Sequence, residues 1–325
     1  MNKHLASAFV VILLFAQAAS AQRPVFVGGS IPKMVLSKGA GEGPAWHPRT
    51  GLLMSFGGHI YQMKDGKPVI FRKNAGTNGL LFDHKGNLLC CEPRYRRVTR
   101  ITPDGKSKVL TGKYGGKPYN QPNDITVDSK GRIYFSDPKY GPRTNLELED
   151  DQGRKVEGVY RIDPNGKVTR IITHEADRPN GLLVTDDDKY LYVADNNNNK
   201  VGAARKLYRF DLLPNGTIKP KSRKLIYDWK DGRGPDGMAS DKLGRIYVAG
   251  GLNKANPPYE TADKFHGGVY VFSKAGKFMA FAPVPNDEVT NCSFGGKDLR
   301  TLYITAGGTL WSIRTVVPGR VLYKK

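Results

Sequence analysis

Six polar side chains recur at one register of this sequence: Glu42, Asn78, Asn123, Asn180, Asp236 and Asn291. Two are carboxylates and four are carboxamides, and none is Lys, Arg, His or Cys. Oxygen donors carrying two formal negative charges suit a hard divalent cation, Ca²⁺ first, then Mg²⁺ or Mn²⁺. Zinc favours His and Cys. The plainer use of the same residues is to cap strand ends around a column of water. A second layer of acids lies fourteen or fifteen residues further on, at Glu92, Asp137 and Asp195. Each either faces the same site or forms a turn before Pro138 or Asn196. Asp137 is the stronger candidate for chemistry because it shares a repeat with Asn123. Other nucleophile patterns are missing. No Gly-x-Ser-x-Gly elbow or Ser/His/Asp order is readable, and His59, His174 and His266 stand alone. Tyr140, Tyr259 and Phe265 could wall a pocket, and residues 196–199 form a polar asparagine loop.

The register is set by a repeat. The segments EGPAWHPRTGLLMSF (42–56), NGLLFDHKGNLLCC (78–91), NDITVDSKGRIYFS (123–136), NGLLVTDDDKYLYVA (180–194), DGMASDKLGRIYVA (236–249) and NCSFGGKDLRTLYIT (291–305) share one grammar. A polar residue opens, a small residue usually follows, and two short strands flank a turn of Gly, Asp or Lys. A third and a fourth strand follow most copies, as at 159–162 and 168–172. Four strands in each of six units predict an all-β, six-bladed β-propeller. The last copy leaves too little chain for a full blade, and residues 25–36 are expected to supply its missing outer strand, closing the ring and removing open sheet edges. In a propeller the first strand of each blade lines the central channel, so the six openers converge on one mouth.

Composition agrees. The 325 residues include 38 Gly and 21 Pro, too turn-rich for a helical bundle, and 39% are hydrophobic, enough for a large core. Disorder and collagen are excluded. The net charge of +21 is scattered, with short clusters at 94–97 and 219–224. No recognition helix or zinc-finger spacing accompanies it, so nucleic acid is not expected as a partner, while weak contact with anionic polymers is. Residues 1–21 read as an export signal: Lys3 and His4, an apolar run over 5–18, and the small-x-small site Ala19-Ser20-Ala21. The expected mature protein, from residue 22 to 325, is one propeller domain, periplasmic or secreted and off the membrane. Cys90, Cys91 and Cys292 are expected as buried free thiols.

The stretches EGPAW (42–46), PNDITVDSKGRIYFSDP (122–138), RPNGLLVTDDDKYLYVADN (178–196) and GPDGMASDKLGRIYVAGG (234–251) resemble the family that unites senescence marker protein, gluconolactonases and the luciferin-regenerating enzyme. FSDPKYG, at 135–141, is most similar to the bacterial gluconolactonase branch. The resemblance implies a six-bladed propeller with one catalytic divalent ion, usually Ca²⁺, with Mg²⁺, Mn²⁺ and Zn²⁺ as the other candidates. It implies Glu42, Asn180 and Asp236 as metal ligands, Asn123 as a fourth ligand or substrate contact, and Asp236 as base or nucleophile. Gln121 stands where some animal members carry a sugar-contacting Arg, so sugar specificity does not carry over. The implied reaction is hydrolysis of a sugar lactone. A metal-bound carboxylate is a weak base, which keeps Asp137 and Asp195 as alternative bases, with Asp195 also a substrate contact. The residues alone leave open another metal-dependent hydrolase or lyase, such as a phosphotriesterase, and a non-catalytic binding scaffold.

Overall fold

A computed structural model describes residues 23–323. The expected export signal at 1–21 lies outside them. The described residues hold six four-stranded antiparallel sheets, five of them in simple sequential order along the chain, as expected of propeller blades. The innermost strands are Glu42–His47, Leu80–Phe82, Ile125–Val127, Pro179–Val184, Pro235–Ser240 and Val289–Gly295. They start within three residues of the six sequence openers. The last blade holds three C-terminal strands and takes its fourth from the N-terminal side: Lys33–Leu36 pairs antiparallel with Thr309–Arg314. A bridge between Phe26 and Thr315 extends that closure.

Both faces of a blade are covered by its neighbours, so its inner strands are buried on both sides rather than alternating between buried and exposed. Ile133–Asp137 and Gly158–Ile162, the middle strands of the third blade, are buried at every position. Outer strands meet solvent, as Lys67–Arg72 does in the first blade. The hydrophobic residues therefore form one cluster per blade interface rather than a single central core. Tyr134, Val159, Leu182, Val184, Leu191 and Phe210 fill the interface of the third and fourth blades. Each fully buried side chain of that size contributes roughly 1.5–3 kcal/mol.

The turn between the first two strands of a blade explains the Asp of the repeat. Asp128 Oδ1 accepts the N–H of Lys130 at 3.0 Å and of Arg132 at 2.9 Å. Asp83 and Asp241 hold their own turns the same way. A short side-chain acceptor folding the backbone two residues on is the Asx-turn. Cys90, Cys91 and Cys292 are free and buried, as expected, and burial pushes the Cys90 thiol up to about 12. Among the described residues no helix is long and apolar enough to cross a membrane.

Candidate active site at the channel mouth

The opening residue of each inner strand is fixed by ladder and cross-blade contacts. Asn123 N–H donates to Ser136 O on its own second strand at 2.9 Å, and Asn123 O accepts Gly79 N–H from the preceding blade at 2.8 Å. This close approach accounts for the small residue after the opener. A Cβ on Gly79 would stand 2.6 Å from Asn123 O, and one on Gly181 would stand 2.0 Å from Asp236 O. The ring of openers is thus packed backbone to backbone.

Five openers, Glu42, Asn78, Asn123, Asn180 and Asp236, line one open cavity of about 480 Å³ at the channel mouth. The sixth, Asn291, lies outside that lining and donates from Nδ2 to Glu42 Oε2 at 3.3 Å. Apart from Pro93 and Gly141 the rest of the wall carries polar groups: Gln121, Tyr140, Asn198, Asn199, Arg233, Glu288 and Thr290.

Electrostatically the cavity has an excess of negative charge. Asp236 is 5% exposed, and no hydrogen bond reaches its carboxylate among the described residues. Burial, then the Glu42 carboxylate, pushes its pKa well above the usual range. Burial, then the Asp124 carboxylate, pushes Glu42 up to about 7. Arg233 opposes both shifts, but it is shared. It is gripped by both Glu288 oxygens at 3.0 and 2.7 Å and lies 3.4 Å from Glu260. The carboxamide oxygens of Asn78, Asn123 and Asn180 are buried with no hydrogen-bond partner. Leaving buried acceptors unpaired costs about 1–3 kcal/mol each. Two carboxylates and three partnerless carbonyl-type oxygens at one opening fit a hard divalent cation. Among the described residues no three His, Cys, Asp or Glu side chains cluster for a metal, so amide oxygens would have to complete the shell.

The other sequence candidates fall differently. Gln121 does line the cavity, and its Oε1 accepts Tyr140 N–H at 2.9 Å. Asp137 and Asp195 do not line it. Asp137 is 0% exposed, and its Oδ2 accepts Asn120 N–H at 2.8 Å. Asp195 accepts the N–H groups of Asp177 and Arg178 at 2.9 and 2.8 Å. Each acid ties down the loop two or three residues before an opener, which explains the fixed spacing without placing the acid at the mouth. Burial first raises Asp137 to about 8 and Asp195 to about 6. Glu92 is likewise buried, bonded to Thr99 and Arg97. Of the three aromatic candidates only Tyr140 lines the cavity. Phe265 packs on Tyr227, and Tyr259 O accepts from Arg205. Arg233, Glu288 and Thr290 escaped sequence reasoning. Arg233 and Glu288 lie on connecting segments three residues before an opener, and Thr290 lies in the strand Val289–Gly295 just before Asn291, all outside the stretch that the repeats align. Asn198 and Asn199, set aside as a polar loop, also belong to the wall.

Residues 40–308 match the family described as SMP-30/Gluconolactonase/LRE-like region. A gluconolactonase of Zymomonas mobilis is 30% identical over 279 residues, covering 83% of this chain and 71% of that protein. The solved structure of a gluconolactonase from Xanthomonas campestris superposes with a TM-score of 0.72 at 28% identity, over 89% of this chain and 91% of that one. A regucalcin from Agrobacterium tumefaciens, described as a calcium-binding protein, shares the fold with a TM-score of 0.68 at 18% identity, over 92% of this chain and 98% of that one.

Proposed function

This chain belongs to the SMP-30/gluconolactonase/LRE-like family, and on that premise we propose that it opens the lactone of a neutral sugar acid at the channel mouth. It is a carboxylic-ester hydrolase. The observation that carries the finer reading is the chemistry of the cavity wall. The carboxamide oxygens of Asn78, Asn123 and Asn198 have no partner, and Gln121 and Asn199, whose oxygens are engaged, have amide nitrogens left to donate. Such a wall matches a polyhydroxylated ring and offers little to an aryl or acyl chain.

Glu42, Asn180 and Asp236, with Asn123, would hold one divalent ion, for which Ca²⁺ suits an all-oxygen donor set. When bound there, it would draw charge onto the lactone carbonyl oxygen and stabilise the tetrahedral transition state. The chain's own residues do the rest. Gln121, whose Oε1 is spent on the Tyr140 backbone, has its amide nitrogen left for a substrate hydroxyl. Asp236, whose carboxylate no hydrogen bond reaches among the described residues, accepts the proton of the attacking water and returns it to the ring oxygen as the acyl C–O bond breaks. A lactone is an activated ester, so a base weakened by a neighbouring cation suffices. Arg233, held between Glu260 and Glu288, limits the negative charge that Glu42 and Asp236 share. The reading includes export, with residues 1–21 as the address.

The test is hydrolysis of glucono-1,5-lactone followed by proton release, with Ca²⁺, Mg²⁺, Mn²⁺, Zn²⁺ or EDTA, corrected for spontaneous opening. Activity lost in EDTA and restored by one ion is the expected result. Calcium binding without turnover of this or any other sugar lactone would overturn the reaction while keeping the site.

A further inference from the structure

Tyr140 reaches the cavity from the loop that follows the strand Ile133–Asp137, and four contacts fix it there. Its N–H donates to Gln121 Oε1 at 2.9 Å, and the N–H of Lys139 donates to Glu157 Oε1 at 2.6 Å. The guanidinium of Arg178 lies 5.3 Å from the centre of the Tyr140 ring. Arg178 is 0% exposed and is itself held by Glu157 at 3.2 Å and by Asn199. The phenol oxygen accepts Asn180 Nδ2 at 2.6 Å.

That last bond acts on the functional ring. A carboxamide has a donating end and an accepting end, and only the oxygen can face a cation. With the nitrogen of Asn180 taken by the phenol, the opposite end of the group is the buried, partnerless Oδ1. Released from the phenol, the amide could turn over and offer its NH₂ to the Glu42 and Asp236 carboxylates. The arrangement competent for a cation would then be populated only part of the time, and apparent affinity falls by that fraction.

We propose that Tyr140 is a positioning residue for Asn180, its hydroxyl holding the carboxamide oxygen toward a divalent ion that it does not itself touch. The inference rests on the reading of the mouth as a divalent-ion site. Tyr140→Phe isolates the hydroxyl, because the ring and its contact with Arg178 remain.

The experiment is calorimetric titration of the metal-free full chain with Ca²⁺, for wild type, Tyr140→Phe, Asn180→Ala and the double variant. Removing an outer-shell partner typically costs 10–100-fold in metal affinity, so Tyr140→Phe is expected to bind about tenfold more weakly. The double variant is expected to bind no more weakly than Asn180→Ala, because the phenol acts through that amide. Lactone turnover by Tyr140→Phe should recover to within about threefold of wild type when Ca²⁺ is raised tenfold, a rescue that a general packing defect would not show. Metal-free melting curves verify the fold of each variant. Unchanged affinity in Tyr140→Phe, or additive losses in the double variant, would overturn this inference alone. A wild-type chain that binds no divalent ion would overturn it together with the metal-dependent reading.

Discussion

The two ends of the propeller channel are built from the same strands and treated in opposite ways. At the mouth stand Glu42, Asn123, Asn180 and Asp236; the carboxamide oxygens of Asn123 and Asn180 have no protein partner, and no hydrogen bond reaches the Asp236 carboxylate among the described residues. At the far end the C-terminal segment 318–323 runs beneath the strand ends and pairs with them. Arg320 N–H donates to Ser240 O at 2.8 Å, Arg320 Nη1 to Val184 O at 2.8 Å, and Tyr323 Oη to Trp46 O at 2.7 Å. His84 stands between the carbonyl oxygens of Leu322 and Asp128 at 2.9 and 2.8 Å. Tyr323 also packs on His47 and Phe82. One end carries unsatisfied polarity, and the other offsets it with satisfied hydrogen bonds and apolar contact. Strain at a functional site is commonly held in place by stability elsewhere in a fold.

Exchanging one residue at each end should separate the two roles. Asp236→Asn is expected to reduce lactone turnover at least about 10³-fold, or roughly 4 kcal/mol of transition-state stabilisation. Its metal-free melting temperature should be equal or higher, since a buried, elevated carboxylate is removed. Proton-release assays beside a thermal melt decide it, and turnover near wild type would remove Asp236 from the chemistry. Tyr323→Ala should do the reverse. Losing a buried aromatic costs about 3 kcal/mol, lowering the melting temperature by roughly 5 °C, with kcat at 25 °C unchanged. A Tyr323→Ala protein that is stable but slow would show that the far end helps set the geometry of the mouth.

The sequence shows the mouth better than its walls, and the reason is periodicity. Six copies of one motif reveal the blade count, the turn aspartates and the openers, because each copy repeats the same local demand for a first strand, a tight turn and a close approach. The strand donated by Lys33–Leu36 is legible from the missing fourth strand of the last copy. Arg233 and Glu288 reach the cavity from a shared position three residues before an opener, and Thr290 from the residue just before one, but the residue type at those positions changes from blade to blade, so no repeated motif marks them. The same regularity misleads at Asp137 and Asp195. Equal spacing from an opener identifies residues with equal jobs, and the shared job is to accept backbone N–H groups of the approach loop. Spacing alone cannot separate an acid that faces substrate from one that faces backbone.

Asp137 offers the finest test of that distinction, since the two uses predict different pH behaviour. Its carboxyl is raised by burial to about 8, whereas an unfolded Asp titrates near 3.9. Between those values the folded chain keeps a proton that the unfolded chain has lost. Stability contributed by this group is therefore present below about pH 4 and declines as pH rises toward 8, with a slope of at most about 1.4 kcal/mol per pH unit. Asp137→Asn removes the titration yet retains an acceptor for Asn120 N–H, and its NH₂ takes the place of the acid hydroxyl. Denaturant unfolding at pH 5 and pH 8 should show the variant gaining on wild type as pH rises, while lactone turnover stays within about threefold. Parallel stability curves would mean that Asp137 is ionised in the fold. A hundredfold loss of turnover would return it to the chemistry, because an acid that only anchors Asn120 leaves the substrate untouched when its charge is removed.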